Sequence, residues 1–129
     1  MIADLHSTRI LATAFAQGAQ HDFQLFKESA LTPAHETKLL ADAGYQGLTK
    51  LHTNAQTPAK KSKRHPLTAA QKKANRELSR LRILIENIIR RLKIFRILSE
   101  RYRNRRKRFA LRFNLIAAIY NFELPLLPD

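Results

Sequence analysis

Ser79-Arg80-Leu81-Arg82-Ile83-Leu84-Ile85-Glu86-Asn87-Ile88-Ile89-Arg90-Arg91-Leu92-Lys93 carries a single carboxylate among five cations. At 100° per residue, Ser79, Arg82 and Lys93 fall within about 40° of Glu86 around a helix axis. A long helix is expected because Ala74, Leu78, Leu81, Ile85, Ile88, Leu92 and Phe95 recur at steps of four and three. Thr68 supplies a hydroxyl suited to cap its start. The apolar stripe is centred more than about 100° from Glu86, so the acid borders the stripe rather than joining it. Two readings of Glu86 stand. It pairs with Arg82 and Arg90 at i−4 and i+4, worth a few tenths of a kcal/mol, or it belongs to a metal-dependent nucleic-acid site in which Arg82 and Lys93 hold phosphates.

Upstream, Leu39-Leu40-Ala41 reads as a buried strand whose carboxyl end presents Asp42 into the loop Ala43-Gly44-Tyr45-Gln46-Gly47. Ligands of α/β sheets bind at such strand ends. Metal-assisted phosphoryl transfer needs carboxylates converging from separate elements, and hard oxygen donors suit Mg2+ or Mn2+. Asp42 and Glu86 are therefore the two candidate metal ligands. Residues 1–16 read as two short strands, with Asp4 to Thr8 as the turn between them. His21 to Ser29 reads as a short helix. His21-Asp22 is either a ligand pair or an ordinary helix start with an acid as its cap.

Residues 53–66 hold Pro58, Pro66 and a cluster of cations, and read as a mobile basic loop. Residues 99–108 read as a basic linker. Within it Arg101, Arg103, Arg105, Arg106, Lys107 and Arg108 are expected to contact phosphates, and Tyr102 could stack on a base. Phe109, Phe113, Ile116 and Tyr120 predict a second amphipathic helix, ended by Pro125.

Charge is concentrated in the second part of the chain. Residues 1–57 carry four Lys/Arg and five Asp/Glu, whereas 58–129 carry twenty and five, and the whole has a net charge of +14. Such asymmetry points to a polyanion, with nucleic acid the usual partner and an anionic membrane surface the competitor. The absence of cysteine excludes disulfides and thiolate metal sites. No secretory signal is visible, and the longest apolar stretch, Phe109 to Phe122, is too short and too polar to span a bilayer. A soluble protein of the cytoplasm, associated with the nucleoid, is expected.

Three blocks resemble the carboxyl-terminal part of bacterial insertion-sequence transposases of the DDE type, whose catalytic core is RNase H-like. The first runs from Arg9-Ile10-Leu11 to Gly18-Ala19-Gln20-His21-Asp22-Phe23-Gln24-Leu25-Phe26. The second is Ala41-Asp42-Ala43-Gly44-Tyr45-Gln46-Gly47, similar to the block holding the family's second catalytic aspartate. The third is Arg82, Glu86 and Lys93 with Phe95-Arg96-Ile97-Leu98, similar to the block holding the catalytic glutamate. Ser79 stands where that pattern usually has a tyrosine.

The resemblance implies an α/β fold: a partial RNase H-like core with an incomplete sheet, a long catalytic helix and a C-terminal amphipathic helix, all belonging to one catalytic domain across residues 1–129. It implies two Mg2+ ions held by two aspartates and a glutamate. Asp42 would bridge the metals and Glu86 would hold one, while Arg82, Lys93 and Tyr45 position the DNA backbone. The family's first aspartate lies upstream of these blocks, and Asp4 lacks its context. The chain is therefore expected to be a truncated copy or a downstream reading frame. It would have little activity unless an upstream polypeptide supplies the third acid. Partners are the element's ends and target DNA, with homo-oligomers possible through the open sheet edge. The alternatives are a non-catalytic binder of DNA or RNA acting through residues 58–108, an inactive remnant, and a membrane-surface peptide acting through residues 109–122.

Overall fold

The computed structural model describes residues 1–16, 18, 20–102 and 106–126. It is a mixed α/β chain with two small two-stranded sheets and several helices, divided into two compact units. One unit comprises Met1–Phe15 and Leu81–Asp129, the other Ala16–Arg80. Among the described residues no helix is long and apolar enough to cross a membrane.

In the first unit, strands β1 (Ile2–Ala3) and β2 (Ile10–Ala12) pair antiparallel, with Ala3 opposite Ile10. The expected turn from Asp4 to Thr8 forms. The Asp4 carboxylate accepts the Ser7 N–H at 2.9 Å and the Ser7 hydroxyl. Those two bonds, the hydroxyl's first, hold its carboxyl below the usual carboxylate range. Thr8 takes a left-handed φ of 54° to close the turn.

The core of this unit joins Ile10 to Ile88 and Leu92 and to Ile116, Ala117 and Tyr120. The first pair comes from helix α3 (Ala69–Leu92) and the last three from helix α5 (Phe109–Glu123). The short helix α4 (Arg96–Ser99) adds the half-buried Ile97 and Leu98. Phe15 meets Phe109 and Phe113 edge to face, at 5.7 and 5.2 Å between ring centres.

Polar clamps tie α5 to β2. The Asn121 carboxamide accepts the Ile10 N–H and donates to the Ile10 carbonyl, both at 2.8 Å. The Tyr120 hydroxyl donates to the Thr8 carbonyl at 3.2 Å. The side chain of Asn121 thus does for β2 what a third strand would do, satisfying backbone groups that could not otherwise be buried.

Two expectations for these helices are corrected. The long apolar stripe is only partly covered: Ile88 and Leu92 are buried, Leu78 and Ile85 are half-buried, and Ala74, Leu81 and Phe95 are exposed. Phe95 also lies beyond the helix, which stops at Leu92 and tightens through an Ile94 N–H to Arg91 carbonyl bond. Helix α5 is not amphipathic. Phe109, Phe113, Ile116 and Tyr120 turn inward as predicted, but Leu111, Leu115 and Phe122 stand 61–77% exposed on the other side.

In the second unit, helix α1 (Asp22–Glu28) begins at His21, whose Nδ1 accepts the Phe23 N–H at 3.3 Å. The cap is the imidazole, with Asp22 in the first turn where a carboxylate favours the helix dipole. Strands β3 (Leu39–Leu40) and β4 (Ala55–Gln56) pair parallel, Leu39 against Ala55 and Leu40 against Gln56. Between them lie a 3₁₀ turn (Ala43–Tyr45) and helix α2 (Leu48–Leu51), entered through Gly47 at φ 95°. Buried His52 follows, its Nε2 2.5 Å from the Thr37 carbonyl.

The segment 53–66 is not simply a loop. It opens with β4, and Ala59 is fastened to the long helix by both atoms of the Asn75 carboxamide, at 2.9 and 3.0 Å. Sequence patterning gives little sign of so short a strand. Thr68 caps α3 as expected: its Oγ1 accepts the Gln71 N–H at 3.2 Å, while the Gln71 side chain accepts the Thr68 N–H at 3.0 Å.

Candidate functional site

Asp42 stands where the strand reading puts it, immediately beyond β3. Its backbone is held by the Ala41 N–H to Gln56 carbonyl bond on one side and by the Tyr45 N–H to Asp42 carbonyl bond on the other. Its Oδ1 accepts the Gly44 N–H at 2.8 Å. The carboxylate therefore caps the 3₁₀ turn with one oxygen, and no hydrogen bond among the described residues occupies the other. Gly44 leaves room for this carboxylate: a Cβ there would sit 3.0 Å from Asp42 Oδ1, which would have to shift by a few tenths of an ångström. The Asp-Ala-Gly-Tyr run carries the signal for such a turn, an Asp bonding its own backbone two residues on.

Tyr45 is half-buried, edge-on to Phe23 and Phe26 at 6.2 and 6.4 Å. Burial pushes its hydroxyl pKa up, and the negative charges of Asp22 and Asp42 add to the effect. The ring packs α1 against the Asp42 turn, a packing role that sequence reading did not anticipate.

Glu86 projects from α3 in the other unit, exposed, as are Arg82 and Lys93. The salt-bridge reading of Glu86 is not what forms. Arg90 donates to Asn87 Oδ1 at 2.7 Å instead, and the ion pair present among the described residues is Arg96 with Glu100. Ser79, at the position of the family's usual tyrosine, turns its hydroxyl back to the Asn75 carbonyl at 2.8 Å.

Among the described residues no group of three or more His, Asp or Glu is gathered to hold a metal. Asp42 and Glu86 nevertheless offer the donor type a hard divalent cation takes. Mg2+ keeps several waters and binds through one or two protein carboxylates, so the donor chemistry fits.

Of the basic run, Arg101, Lys107 and Arg108 are exposed, whereas Arg103, Arg105 and the side chain of Arg106 lie outside the described residues. Tyr102 is not held out for stacking on a base. Its hydroxyl accepts from Arg112 at 2.7 Å and its ring meets Phe109 at 5.0 Å. The backbone of Arg106–Arg108 forms a 3₁₀ turn directly before α5. There Lys107 and Arg108 oppose the positive end of the helix dipole, at a cost of about 0.3–1 kcal/mol each. Local stability therefore does not account for their position.

A family model described as Transposase DDE domain matches residues 1–122. The chain belongs to this family, whose members are DNA-cleaving enzymes that generally use divalent metal ions. It is 52% identical over 120 residues to a protein of Microchaete diplosiphon described as "Probable transposase for insertion sequence element IS702". That alignment spans 93% of this chain and 44% of the relative, so the chain corresponds to less than half of the relative's length. No solved structure matches the chain significantly.

Proposed function

We propose that the chain is the carboxyl-terminal portion of the RNase H-like catalytic domain of an insertion-sequence transposase, acting in metal-dependent cleavage and transfer of DNA strands. The observation that carries this reading is Asp42, a carboxylate at the end of a parallel strand with one oxygen fixed by Gly44 and the other open, inside the region matched by the family model. Asp42 and Glu86 would hold the divalent ions. When bound, such ions activate the attacking oxygen and stabilise the leaving one in an in-line displacement.

The remaining work falls to the chain itself. The Gly44 N–H orients the Asp42 carboxylate. Arg82, on the face of α3 that Glu86 shares, and Lys93, just past the end of that helix, hold phosphate oxygens on either side of the acid. Arg101, Lys107 and Arg108, with Arg103, Arg105 and Arg106 of the same run, anchor the backbone further along. The third carboxylate would come from a preceding segment, in the same polypeptide or a separate one, and residues 1–129 alone would cleave weakly or not at all.

The test combines the purified chain, the amino-terminal part of the longer relative, Mn2+ and labelled DNA carrying the element's ends. Nicking should require both polypeptides and vanish with Asp42→Ala or Glu86→Ala. Nicking that survives either substitution, or full activity of the chain alone, would overturn the assignment. The net charge of +14 favours one competing reading, a non-catalytic DNA-binding remnant. On that reading neither carboxylate substitution would change Mn2+ affinity.

A further inference from the structure

The second unit carries a basic surface that neither Asp42 nor the run at 101–108 accounts for. Residues 58–80 hold eight Lys/Arg against one acid, Glu77. Lys72, Arg76 and Arg80 are exposed and follow one another at four-residue steps on α3, a row about 12 Å long that stays within one side of the helix. In the preceding segment a tight turn carries Lys63 and Arg64, also exposed. It is closed by the His65 N–H to Ser62 Oγ bond at 3.0 Å and the Ser62 N–H to His65 carbonyl bond at 3.3 Å. Three residues before this turn, Ala59 is clamped by both atoms of the Asn75 carboxamide to the stretch of helix that carries the row.

Helix stability does not explain the row. Like charges four apart repel, and the first turn of α3 contains no acid to offset the lysines that follow. The capping side chain is the neutral Gln71 where glutamate would also serve.

We propose that Lys63, Arg64, Lys72, Arg76 and Arg80 form a surface for the phosphate backbone of duplex DNA, distinct from the carboxylates and from the 101–108 run. Duplex is favoured over single strands because residues 58–80 contain no Phe, Tyr or Trp on which unpaired bases could stack. A lipid surface is disfavoured because none of the exposed large apolar residues lies in this segment. Phosphate contacts carry no sequence information, so binding through them is indifferent to sequence and falls steeply with salt.

The experiment uses the full chain and a labelled duplex of about thirty base pairs, titrated between roughly 50 and 200 mM salt. Replacing Lys72, Arg76 and Arg80 together with Gln should weaken binding at least tenfold and reduce the salt slope by roughly 0.9 per lost phosphate contact. The melting temperature should hold or rise, since repulsion is relieved. Replacing Arg101, Lys107 and Arg108 should weaken binding separately, and the two effects should multiply. If only the 101–108 variant weakens binding, this surface is refuted while the DNA-handling role stands. If the wild-type chain does not bind duplex at all, both fall. Equal affinity for single strands, or tighter binding to anionic vesicles, overturns the duplex assignment.

Discussion

Gly44→Ala probes how the Asp42 turn is built. The glycine is not needed for a left-handed backbone, because its φ lies outside that region. The obstacle is Asp42 itself, since the added Cβ would stand 3.0 Å from Oδ1 and the carboxylate must give way by a few tenths of an ångström. Two stability effects then oppose each other. The alanine restricts the unfolded chain, stabilising by about 0.4–1 kcal/mol. Weakening the 2.8 Å bond from the Gly44 N–H costs about 0.5–1.5 kcal/mol. The net change should stay within about 1 kcal/mol, so the chain keeps its fold. Metal geometry is less forgiving, with ligand distances holding to about 0.2 Å, and disturbing a ligand's support typically weakens metal affinity 10–100-fold. Mn2+ titration followed by the ion's spin resonance, beside thermal melting, separates the two quantities. Wild-type Mn2+ affinity in Gly44→Ala, with Asp42→Asn abolishing it, would show that the turn does not position the ligand. A fall of several kcal/mol in stability would show that Gly44 is structural.

Four further outcomes are expected. Ile88, 2% exposed at the centre of the first unit's core, should cost about 2–5 kcal/mol on replacement by alanine, visible as a lower denaturant midpoint with circular dichroism of the folded baseline unchanged. Asp4 has a depressed folded pKa, so its contribution is present above the unfolded carboxyl pKa and is lost as pH falls through the folded one; Asp4→Asn should flatten the acid limb of a melting-temperature profile. Tyr45 is the opposite case: its raised pKa means stability is present below the ordinary tyrosine pKa of 10.0 and is lost as pH rises through the folded pKa, and Tyr45→Phe should remove that alkaline loss. Replacing Leu111, Leu115 and Phe122 together with Gln should reduce self-association in sedimentation and leave secondary structure intact, because these side chains leave the core face of α5 untouched.

The elements set by local chemistry were the legible ones. Thr68 announced the start of α3, and the apolar run before Asp42 announced a strand end. Periodicity misled where an apolar position did not guarantee burial: Ala74, Leu81 and Phe95 fit the stripe of α3 but remain exposed. In α5 the inward face was correctly read from four residues, yet the equally apolar opposite side was overlooked because it also repeats at helical spacing. Strand β4 was invisible because two residues give no alternation, and its existence depends on pairing with β3. The candidate carboxylates were legible as residue types in a family order. The supports, Gly44 beneath Asp42 and Asn75 clamping Ala59 ahead of the basic turn, depend on distances that spacing does not encode.

The clamp from Asn121 to Ile10 also has a kinetic consequence. An amide in so short a strand would ordinarily trade its proton with solvent at the pace of local fraying. The Ile10 N–H is instead held by a side chain 111 residues away. Its deuterium uptake should therefore time the lifting of α5 from β2, making one backbone proton a clock for the departure of the last helix.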